Sequence, residues 1–212
     1  MTTQQPVKAR GRPPTITLER IANAGIEIGL PNITFVGVAS ALGISHMALY
    51  KHVANLKALK RLVAEEIFRR WSIPRARRDE PQELQAYLFT FAMSISEFVK
   101  AHPGLTPYVI RRLAVTQPMI EKIHEHQAHI AEVYEISQAE ARWLLATVAF
   151  HCFAVADTIY SVIGQEPVEA IDRAAEEAEM EGGLEQGIQA LITGALVILN
   201  ENAVGEADDS AP

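Results

Sequence analysis

The feature of this sequence that most restricts its fold is a break of three residues between two helical patterns, Gly43-Ile44-Ser45. Before the break, apolar side chains recur at the spacing of one helix face: Phe35, Val38, Ala39 and Leu42. Thr34 suits the N-cap of that helix, Gly43 suits its left-handed end, and Ser45 suits the N-cap of the next helix. Two short helices joined by so tight a turn predict a helix-turn-helix motif.

The helix after the break divides its side chains between two faces. Ile44, Leu49 and Val53 are expected to point back toward the preceding helices. The opposite face carries side chains joined by i+3 and i+4 steps: His46, Met47, Tyr50 and Lys51. The second helix of a helix-turn-helix can enter the major groove of DNA, so this outer face is predicted to be presented to a duplex. An ordinary helical hairpin is the alternative.

Charge is distributed unevenly along the chain. The net charge is −7, but residues 1–78 carry +9 and residues 79–212 carry −16. A basic first third on an acidic remainder predicts a part that binds a polyanion, such as nucleic acid. Chance clustering is the alternative, and binding to a membrane surface is less favoured because the basic segment lacks an opposing Trp- or Leu-rich face.

Composition excludes several other classes of protein. The 212 residues are 49% hydrophobic and include one cysteine, Cys152, which predicts a globular protein without an intramolecular disulfide or cysteine-rich zinc module. Neither a secretory leader nor a membrane span is expected, because the most apolar run, 144–156, is too short to cross a bilayer. We therefore expect a cytoplasmic protein that does not bind membranes.

Enzyme and cofactor signatures are not apparent in the sequence. No nucleophile elbow, P-loop, dinucleotide fingerprint or His-Glu-x-x-His motif occurs, so neither an enzyme nor a cofactor is predicted. His124, His126 and His129 suggest a metal site at first sight. Zinc pairs on a helix are usually four residues apart and need a second element to complete the shell, so no metal is predicted.

Helical patterns continue on both sides of the motif, and an all-α fold is predicted. Thr17 can cap a first helix, which Gly29-Leu30-Pro31-Asn32 ends. A fourth helix is expected from near Asn55 to Trp71, with a seam that can join the N-terminal part to the rest, and 74–79 is the expected boundary. Later helices are predicted at the following residues: 81–101, 106–114, 118–136, 138–163 and 184–200.

Three C-terminal segments carry further signals. Ser137-Gln138-Ala139-Glu140 is a capping box for the long apolar helix. The acidic segment 165–183, which closes on two glycines, is expected to be a solvated excursion. The acidic tail 201–212 is expected to be disordered.

The N-terminal pattern resembles that of a known family. The sequence Thr34-Phe35-x-x-Val38-Ala39-x-x-Leu42-Gly43-Ile44-Ser45-x-x-x-Leu49-Tyr50-x-His52-Val53, followed by Leu59, is similar to that of the TetR family of bacterial transcriptional repressors over about residues 15–70. The resemblance implies an all-α homodimer in which 15–72 binds DNA and 79–206 dimerises and holds a small inducing molecule. The last two long helices would form the dimer interface, or, alternatively, would pack within one chain.

Several residues would contact the DNA backbone by this resemblance. Thr34 and Ser45 would bind phosphates as helix caps, and Tyr50 and His52 would contact the backbone. Tyr50 could alternatively pack partly against the end of the first helix. The family commonly has a lysine one position before Lys57, so the phosphate contact of Lys57 is displaced around the helix.

Other positions would lie nearest the bases. His46, Met47 and Lys51 hold these positions by the resemblance. Whether Lys51 contacts a phosphate or a guanine is left open, since the first fixes register and the second specifies sequence. Val36 and Gly37 stand where relatives often have polar or basic side chains, so little direct readout is expected from the second helix.

The basic segment 8–14 precedes the first helix. Its Arg-Gly-Arg-Pro core resembles an AT-hook, which could lay Arg10 and Arg12 in an A·T-rich minor groove. In either case residues 1–14 are expected to form a flexible basic arm; the alternative to minor-groove binding is an arm that attracts DNA without specificity.

A ligand pocket is predicted among the C-terminal helices, with an apolar or aromatic effector. The candidate lining residues are aromatic or polar groups on those helices: Tyr87, Phe91, Phe98, Tyr108, Arg112, Phe150, His151, Asp157 and Tyr160. His151 and Asp157 stand out as polar groups in an apolar helix, although a paired core or interface position is the alternative. The sequence thus predicts a DNA-binding repressor that a small apolar or aromatic effector releases from a palindromic operator; an unregulated helical module that binds nucleic acid or protein is the alternative.

Overall fold

The computed structural model describes residues 16–79, 82–110, 115–161 and 173–208, and within these ranges it is helical without a β-strand. The all-α prediction is confirmed. The helices are named in chain order: α1 (Leu18–Ile28), α2 (Phe35–Leu42), α3 (His46–Tyr50), α4 (Leu56–Arg70), α5 (Leu84–Ala101), α6 (Thr106–Ile110), α7 (Gln117–Val133), α8 (Gln138–Tyr160) and α9 (Arg173–Asp208). A 3₁₀ turn at Leu30–Asn32 links α1 to α2.

The N-terminal helices begin and end where the capping residues predict. The Thr17 hydroxyl accepts a hydrogen bond from the Arg20 N–H, and the Asn55 side chain caps α4 in the same way. Gly43 ends α2 with φ 67°, a left-handed conformation that a β-carbon disfavours. The turn between α2 and α3 is therefore specified by local hydrogen bonds and one glycine.

Helices α1 and α4 approach each other most closely at Gly25. A β-carbon placed on Gly25 would lie 2.3 Å from Cγ2 of Val63, which is fully buried, and 3.4 Å from Cδ1 of Ile33. Valine is stiff at χ1 and cannot easily turn away. The absent side chain at position 25 is what allows α4 to pack closely against α1.

Gly25→Ala should therefore lower the free energy of unfolding by about 1–2 kcal/mol, because overpacking outweighs the helix propensity gained from alanine. The measurement is urea denaturation. Gly182→Ala is the matched control, since a β-carbon there meets nothing within 4 Å, and this change should be neutral or stabilising. Adding Val63→Ala to Gly25→Ala should cost less than the sum of the two single changes; simple additivity would contradict the packing argument.

The C-terminal helices surround α8. Helix α8 packs against α5, α6, α7 and α9, and nine of its residues are buried: Ala141, Leu144, Leu145, Val148, Cys152, Phe153, Ala156, Ile159 and Tyr160. Its start is fixed by the predicted capping box, in which Ser137 and Glu140 exchange side-chain and backbone hydrogen bonds of 3.1 and 2.7 Å. The long apolar helix is thus the centre of this part of the molecule.

Two predictions about the acidic segments are wrong. The segment 165–183 is helical from Arg173 onward, and the tail is helical from Glu201 to Asp208. Glu181 explains much of the first difference, because its carboxylate accepts hydrogen bonds from Lys100 Nζ at 2.8 Å and from the Tyr160 hydroxyl at 2.7 Å. These contacts hold the start of α9 against α5 and α8. The rest of the predicted excursion, 165–172, and the tail beyond 208 lie outside the described residues.

Two helical segments, Gln138–Tyr160 and Ala174–Glu201, are long and apolar enough to cross a membrane by length and composition alone. The first is α8, about half of which is buried against neighbouring helices. Packing inside the protein accounts for its hydrophobicity, as expected for the core helix of a helical bundle.

Candidate DNA-binding face and ligand cavity

The third helix presents the side chains that the sequence pattern places outward. His46, Met47, Tyr50 and Lys51 are exposed, whereas Leu49 is completely buried. The burial of Leu49 and Val53 in the core anchors α3 from the opposite side, where it packs against α2. An accessible face with hydrogen-bonding, apolar and cationic groups results.

Tyr50 is held by a contact between the two helices of the motif. Its ring stacks on Phe35 with centroids 4.3 Å apart and planes 15° apart, so it packs on the start of α2 and not on the end of α1. Tyr50 nevertheless remains 47% exposed. Stacking fixes the direction of the side chain while leaving a surface that a DNA backbone could contact.

The caps of α2 and α3 keep a hydroxyl proton free for a further partner. The Thr34 hydroxyl oxygen accepts from the Gly37 N–H at 2.9 Å, and the Ser45 hydroxyl oxygen accepts from the Ala48 N–H at 3.1 Å. A hydroxyl that accepts one hydrogen bond can still donate another. Both caps can therefore donate to a phosphate oxygen at the positions the resemblance implies.

The surroundings of α3 favour an anionic partner. No Asp or Glu occurs between Glu27 and Glu65 in the sequence, while His52 and Lys57 are exposed. Val36, on the first turn of α2, is 71% exposed and offers apolar contact but no hydrogen bond. Arg10 and Arg12 lie outside the described residues, as does the whole arm 1–14.

A cavity of about 200 Å³ lies among the end of α4 and the C-terminal helices. Its lining is mostly aromatic and aliphatic: Phe68, Trp71, Ile73, Phe91, Val109, Ile110, Ile123, His126, Gln127, Leu145, Ala146, Ala149, Phe150 and Phe153. Phe68 and Trp71 belong to the last turn and C-cap of α4. The cavity therefore touches the helix that also packs against α1 in the N-terminal part of the chain.

Of the residues predicted to bind a ligand, Phe91 and Phe150 line this cavity. Two others stand directly behind its wall: Phe98 stacks on Trp71 with centroids 4.6 Å apart, and Tyr87 hydrogen-bonds to His126. Both contribute to the cavity through a residue that lines it.

The remaining predicted ligand residues lie elsewhere. Tyr108 packs against the core on α6, and Tyr160 is engaged by Glu181 at the start of α9. His151 faces α9, where its Nε2 would lie 4.0 Å from a β-carbon built on Gly187. Asp157 is half-buried on α8 outside the lining, and Arg112 lies outside the described residues.

The sequence analysis missed the polar side chains of the cavity wall. His126 was considered only as a metal ligand, and Gln127 not at all. Trp71 was predicted only as part of the seam of the fourth helix. Its position at the end of a helix that joins two parts of the chain is the signal that could have identified it as a lining residue. In the described ranges no group of three His, Cys, Asp or Glu side chains is placed to hold a metal ion.

His126 is the buried polar centre of this wall. Its Nε2 lies 2.9 Å from the Tyr87 hydroxyl, which also donates to the Pro74 carbonyl at 3.0 Å. Burial, with smaller contributions from His129 and Arg75, lowers the pKa of His126 to about 4. Burial also raises the pKa of Tyr87 above its usual range, so at neutral pH both side chains are uncharged.

Lys122 connects α7 to the end of α4. Its ammonium group donates to the carbonyl oxygens of Phe68 at 3.0 Å and Arg69 at 2.9 Å, and also to that of Trp71. It further lies 5.6 Å from the centre of the Phe68 ring. Carbonyls at a helix C-terminus lack partners within the helix, and a cation there is favourable. Lys122 thus fixes the end of α4 next to the cavity.

Comparison with solved structures finds the same architecture. A variant of TetR from Acinetobacter baumannii in complex with minocycline has a TM-score of 0.63 at 19% identity, covering 87% of this chain and 98% of that one. The TetR-family protein ActR from Streptomyces coelicolor, in complex with actinorhodin, has a TM-score of 0.64 at 18% identity, covering 86% and 96%.

A third similar structure, a TetR-type transcriptional regulator from Streptomyces coelicolor, has a TM-score of 0.58 at 16% identity and covers 85% of this chain and 98% of its own. No family model matches the sequence, and no curated protein matches it. The likeness therefore lies in the arrangement of the helices along nearly the whole length of these regulators. The chain has a TetR-family fold.

Proposed function

We propose that the protein is a non-enzymatic, sequence-specific DNA-binding regulator of transcription that acts in the cytoplasm. The observation that carries the proposal is the exposed face of α3, on which His46, Met47, Tyr50 and Lys51 stand in a stretch without a single carboxylate. A short helix braced by a neighbouring helix, with such side chains outward, fits the major groove. In this proposal residues 15–72 bind DNA and 79–206 bind an effector and dimerise.

A homodimer would present the exposed face of α3 twice. Val197 and Ile198 on α9 are about half exposed, and apolar residues on the outer face of a long helix favour a partner helix from a second copy. Two heads related by twofold symmetry would bind a palindromic operator, with half-sites about 34 Å apart for each helical turn. Arg10 and Arg12 would add contacts in the minor groove.

An effector would act through the end of α4. A molecule in the cavity would contact Trp71, whose ring is stacked on Phe98 and whose indole N–H donates to Ser94 at 3.1 Å. A ligand that fits one position of this ring better than another shifts α4, and with it the proposed DNA-binding part, by its differential affinity for the two positions. Coupling of about 1–3 kcal/mol changes operator affinity roughly 5- to 150-fold. The TetR and ActR structures in complex with minocycline and actinorhodin support the binding of a small molecule by a protein of this fold.

The test begins with sequencing genomic fragments that the purified protein retains. The operator obtained should bind far more tightly than a scrambled duplex at about 150 mM salt, because phosphate contacts alone do not distinguish sequences. Equal binding of the two duplexes would instead favour the unregulated helical module.

Lys51→Ala combined with Tyr50→Phe should weaken operator binding by about 2–4 kcal/mol, or roughly 30- to 1,000-fold, because each dimer loses the contacts twice. Fluorescence anisotropy measures the affinity, and sedimentation checks that the oligomeric state is unchanged. Arg142→Ala removes an equal charge from an exposed position on α8 and serves as the control. If the control weakens binding as much as the double change, the α3 face is not the contact surface.

A further inference from the structure

The hydrogen bonds of Tyr87 determine which nitrogen of His126 carries the proton. A tyrosine hydroxyl has one hydrogen, and the Pro74 carbonyl, 3.0 Å away, can only accept. The hydroxyl hydrogen is therefore used on Pro74. The contact of 2.9 Å between Tyr87 and His126 Nε2 must then be donated by the histidine, so Nε2 carries its N–H.

The other nitrogen of His126 is consequently a hydrogen-bond acceptor. A neutral imidazole has one N–H, and burial keeps this ring neutral by lowering its pKa to about 4. With the proton on Nε2, Nδ1 has a free lone pair. In the described part of the chain His126 makes no other side-chain hydrogen bond, and it is one of the residues that line the cavity.

The walls around His126 favour an aromatic ring. The Phe91 ring lies 5.4 Å from that of His126 and is stacked with Trp71 at 6.4 Å. Phe150, which is largely exposed, and Phe153, which is buried, add to the aromatic lining. Among the described lining residues none is charged, so the lining itself offers no counter-ion to offset the lost hydration of a charged ligand. The volume of about 200 Å³ is below the range of about 300–1,000 Å³ typical of sites for drug-sized molecules.

We propose that the cavity selects a small, uncharged aromatic molecule of one or two rings that carries a hydroxyl or N–H group, which donates to Nδ1 of His126. This inference rests on the proposed role of the cavity as an effector site and specifies the ligand. Tyr87 is the positioning residue, because it sets the tautomer without lining the cavity. An aromatic compound that lacks a donor would leave Nδ1 unpaired in an apolar enclosure, which is unfavourable.

The test compares 2-naphthol with 2-methylnaphthalene, in which a methyl group of similar size replaces the hydroxyl. Calorimetric titration of the full-length protein should give an affinity for 2-naphthol at least tenfold higher, as expected for one buried hydrogen bond. Equal affinities, a preference for the methyl compound, or no binding of either would overturn the inference.

Two variants, His126→Phe and Tyr87→Phe, test which residues cause the preference for 2-naphthol. His126→Phe keeps an aromatic wall but removes the acceptor, and the preference for 2-naphthol should disappear; His124→Phe, at an exposed position two residues earlier, should retain it. Tyr87→Phe frees the proton to occupy either nitrogen, so the preference should fall while the methyl compound binds as before. A preference that persists in His126→Phe would overturn the inference.

Operator binding in the same samples tests the two proposals separately. Thermal unfolding first checks that each variant is folded. If the protein binds its operator but does not distinguish the two naphthalenes, the ligand inference fails and the DNA-binding function stands. If no operator is recognised while 2-naphthol is preferred, the proposed function fails and the ligand assignment stands.

Discussion

Replacing Lys122 with methionine should destabilise the protein by about 2–3 kcal/mol and uncouple the cavity from the DNA-binding face. Methionine keeps the length and apolar stem of the side chain but cannot donate to the carbonyl oxygens of Phe68, Arg69 and Trp71. Each hydrogen bond to a charged group contributes about 1.5–3 kcal/mol, and carbonyls at a helix end left without a partner add to the loss. Part of the loss is offset because the buried ammonium group is itself desolvated, which also lowers the pKa of Lys122.

The uncoupling follows from the position of Lys122 between α7 and the end of α4. Without its ammonium group, Trp71 can move in response to a ligand while the rest of α4 stays in place. The ratio of operator affinities with and without ligand should therefore fall toward one.

Urea denaturation measures the first effect, and anisotropy titrations with and without 2-naphthol measure the second. Lys57→Met makes the same chemical change at an exposed position on α4; as a candidate phosphate contact it can weaken operator binding itself, but stability and the ratio of operator affinities with and without ligand should stay nearly unchanged. A Lys122→Met protein as stable as Lys57→Met, with the ratio of operator affinities unaltered, would show that Lys122 does not transmit the signal.

The elements that the sequence predicted well are those determined by neighbouring residues. Thr17, Thr34, Ser45 and Ser137 all cap the helices for which they were predicted. A cap bonds to an N–H two or three residues away, so the signal is complete within a short window of sequence. The helix-turn-helix could be predicted for the same reason.

The cavity wall could not be predicted in this way, because it depends on how helices are rotated against each other. Helix α8 is apolar around most of its circumference, so its periodicity does not identify which residues meet α7 and which meet α9. Phe150 lines the cavity while the adjacent His151 faces α9. Tyr87 on α5 pairs with His126 on α7. These residues are too far apart along the chain for a local sequence pattern to predict their contact.

The error over the acidic segment has a related cause. Carboxylates at close spacing and the pair Gly182-Gly183 are typical of a solvated loop, and intrinsic propensity is unfavourable to a helix there. The contacts of Glu181 with Lys100 and Tyr160 are tertiary interactions with α5 and α8. Tertiary packing overrides local propensity at this point, as it commonly does for helices in proteins.

Lowering the pH from 6.5 to 4 should remove about 3 kcal/mol of folding stability through His126. The pKa of His126 is about 4 in the folded protein, mainly because of burial, and close to 6.5 in the unfolded chain. Between these values the unfolded state binds a proton that the folded state does not, so stability falls as the pH falls through this window. Below about pH 4 both states are protonated, and this contribution changes no further.

The contribution of Glu66 to the pH dependence can be separated from that of His126, because the two groups titrate over different ranges of pH. Glu66 has its pKa lowered to about 2, chiefly by its hydrogen bond to Arg69. Its contribution is also lost on acidification, but only as the pH falls below about 4.5, the ordinary value for the carboxyl group. Measurements between pH 7 and pH 5 therefore isolate histidine from this carboxylate.

The measurement is the free energy of unfolding in urea at half-unit steps of pH for the native protein, His126→Gln and His124→Gln. Glutamine at position 126 can still donate to Tyr87 but does not titrate. The free energy of unfolding of His126→Gln should therefore fall less steeply with decreasing pH than that of the native protein, and the two slopes should differ by up to about 1.4 kcal/mol per pH unit. The exposed His124 should be replaceable without altering the slope. His102, whose pKa is also lowered by burial, is present in all three proteins and cancels in the differences. Parallel curves for the native protein and His126→Gln would mean that His126 titrates in the folded protein as it does in the unfolded chain, so that burial does not hold its imidazole neutral over this pH range.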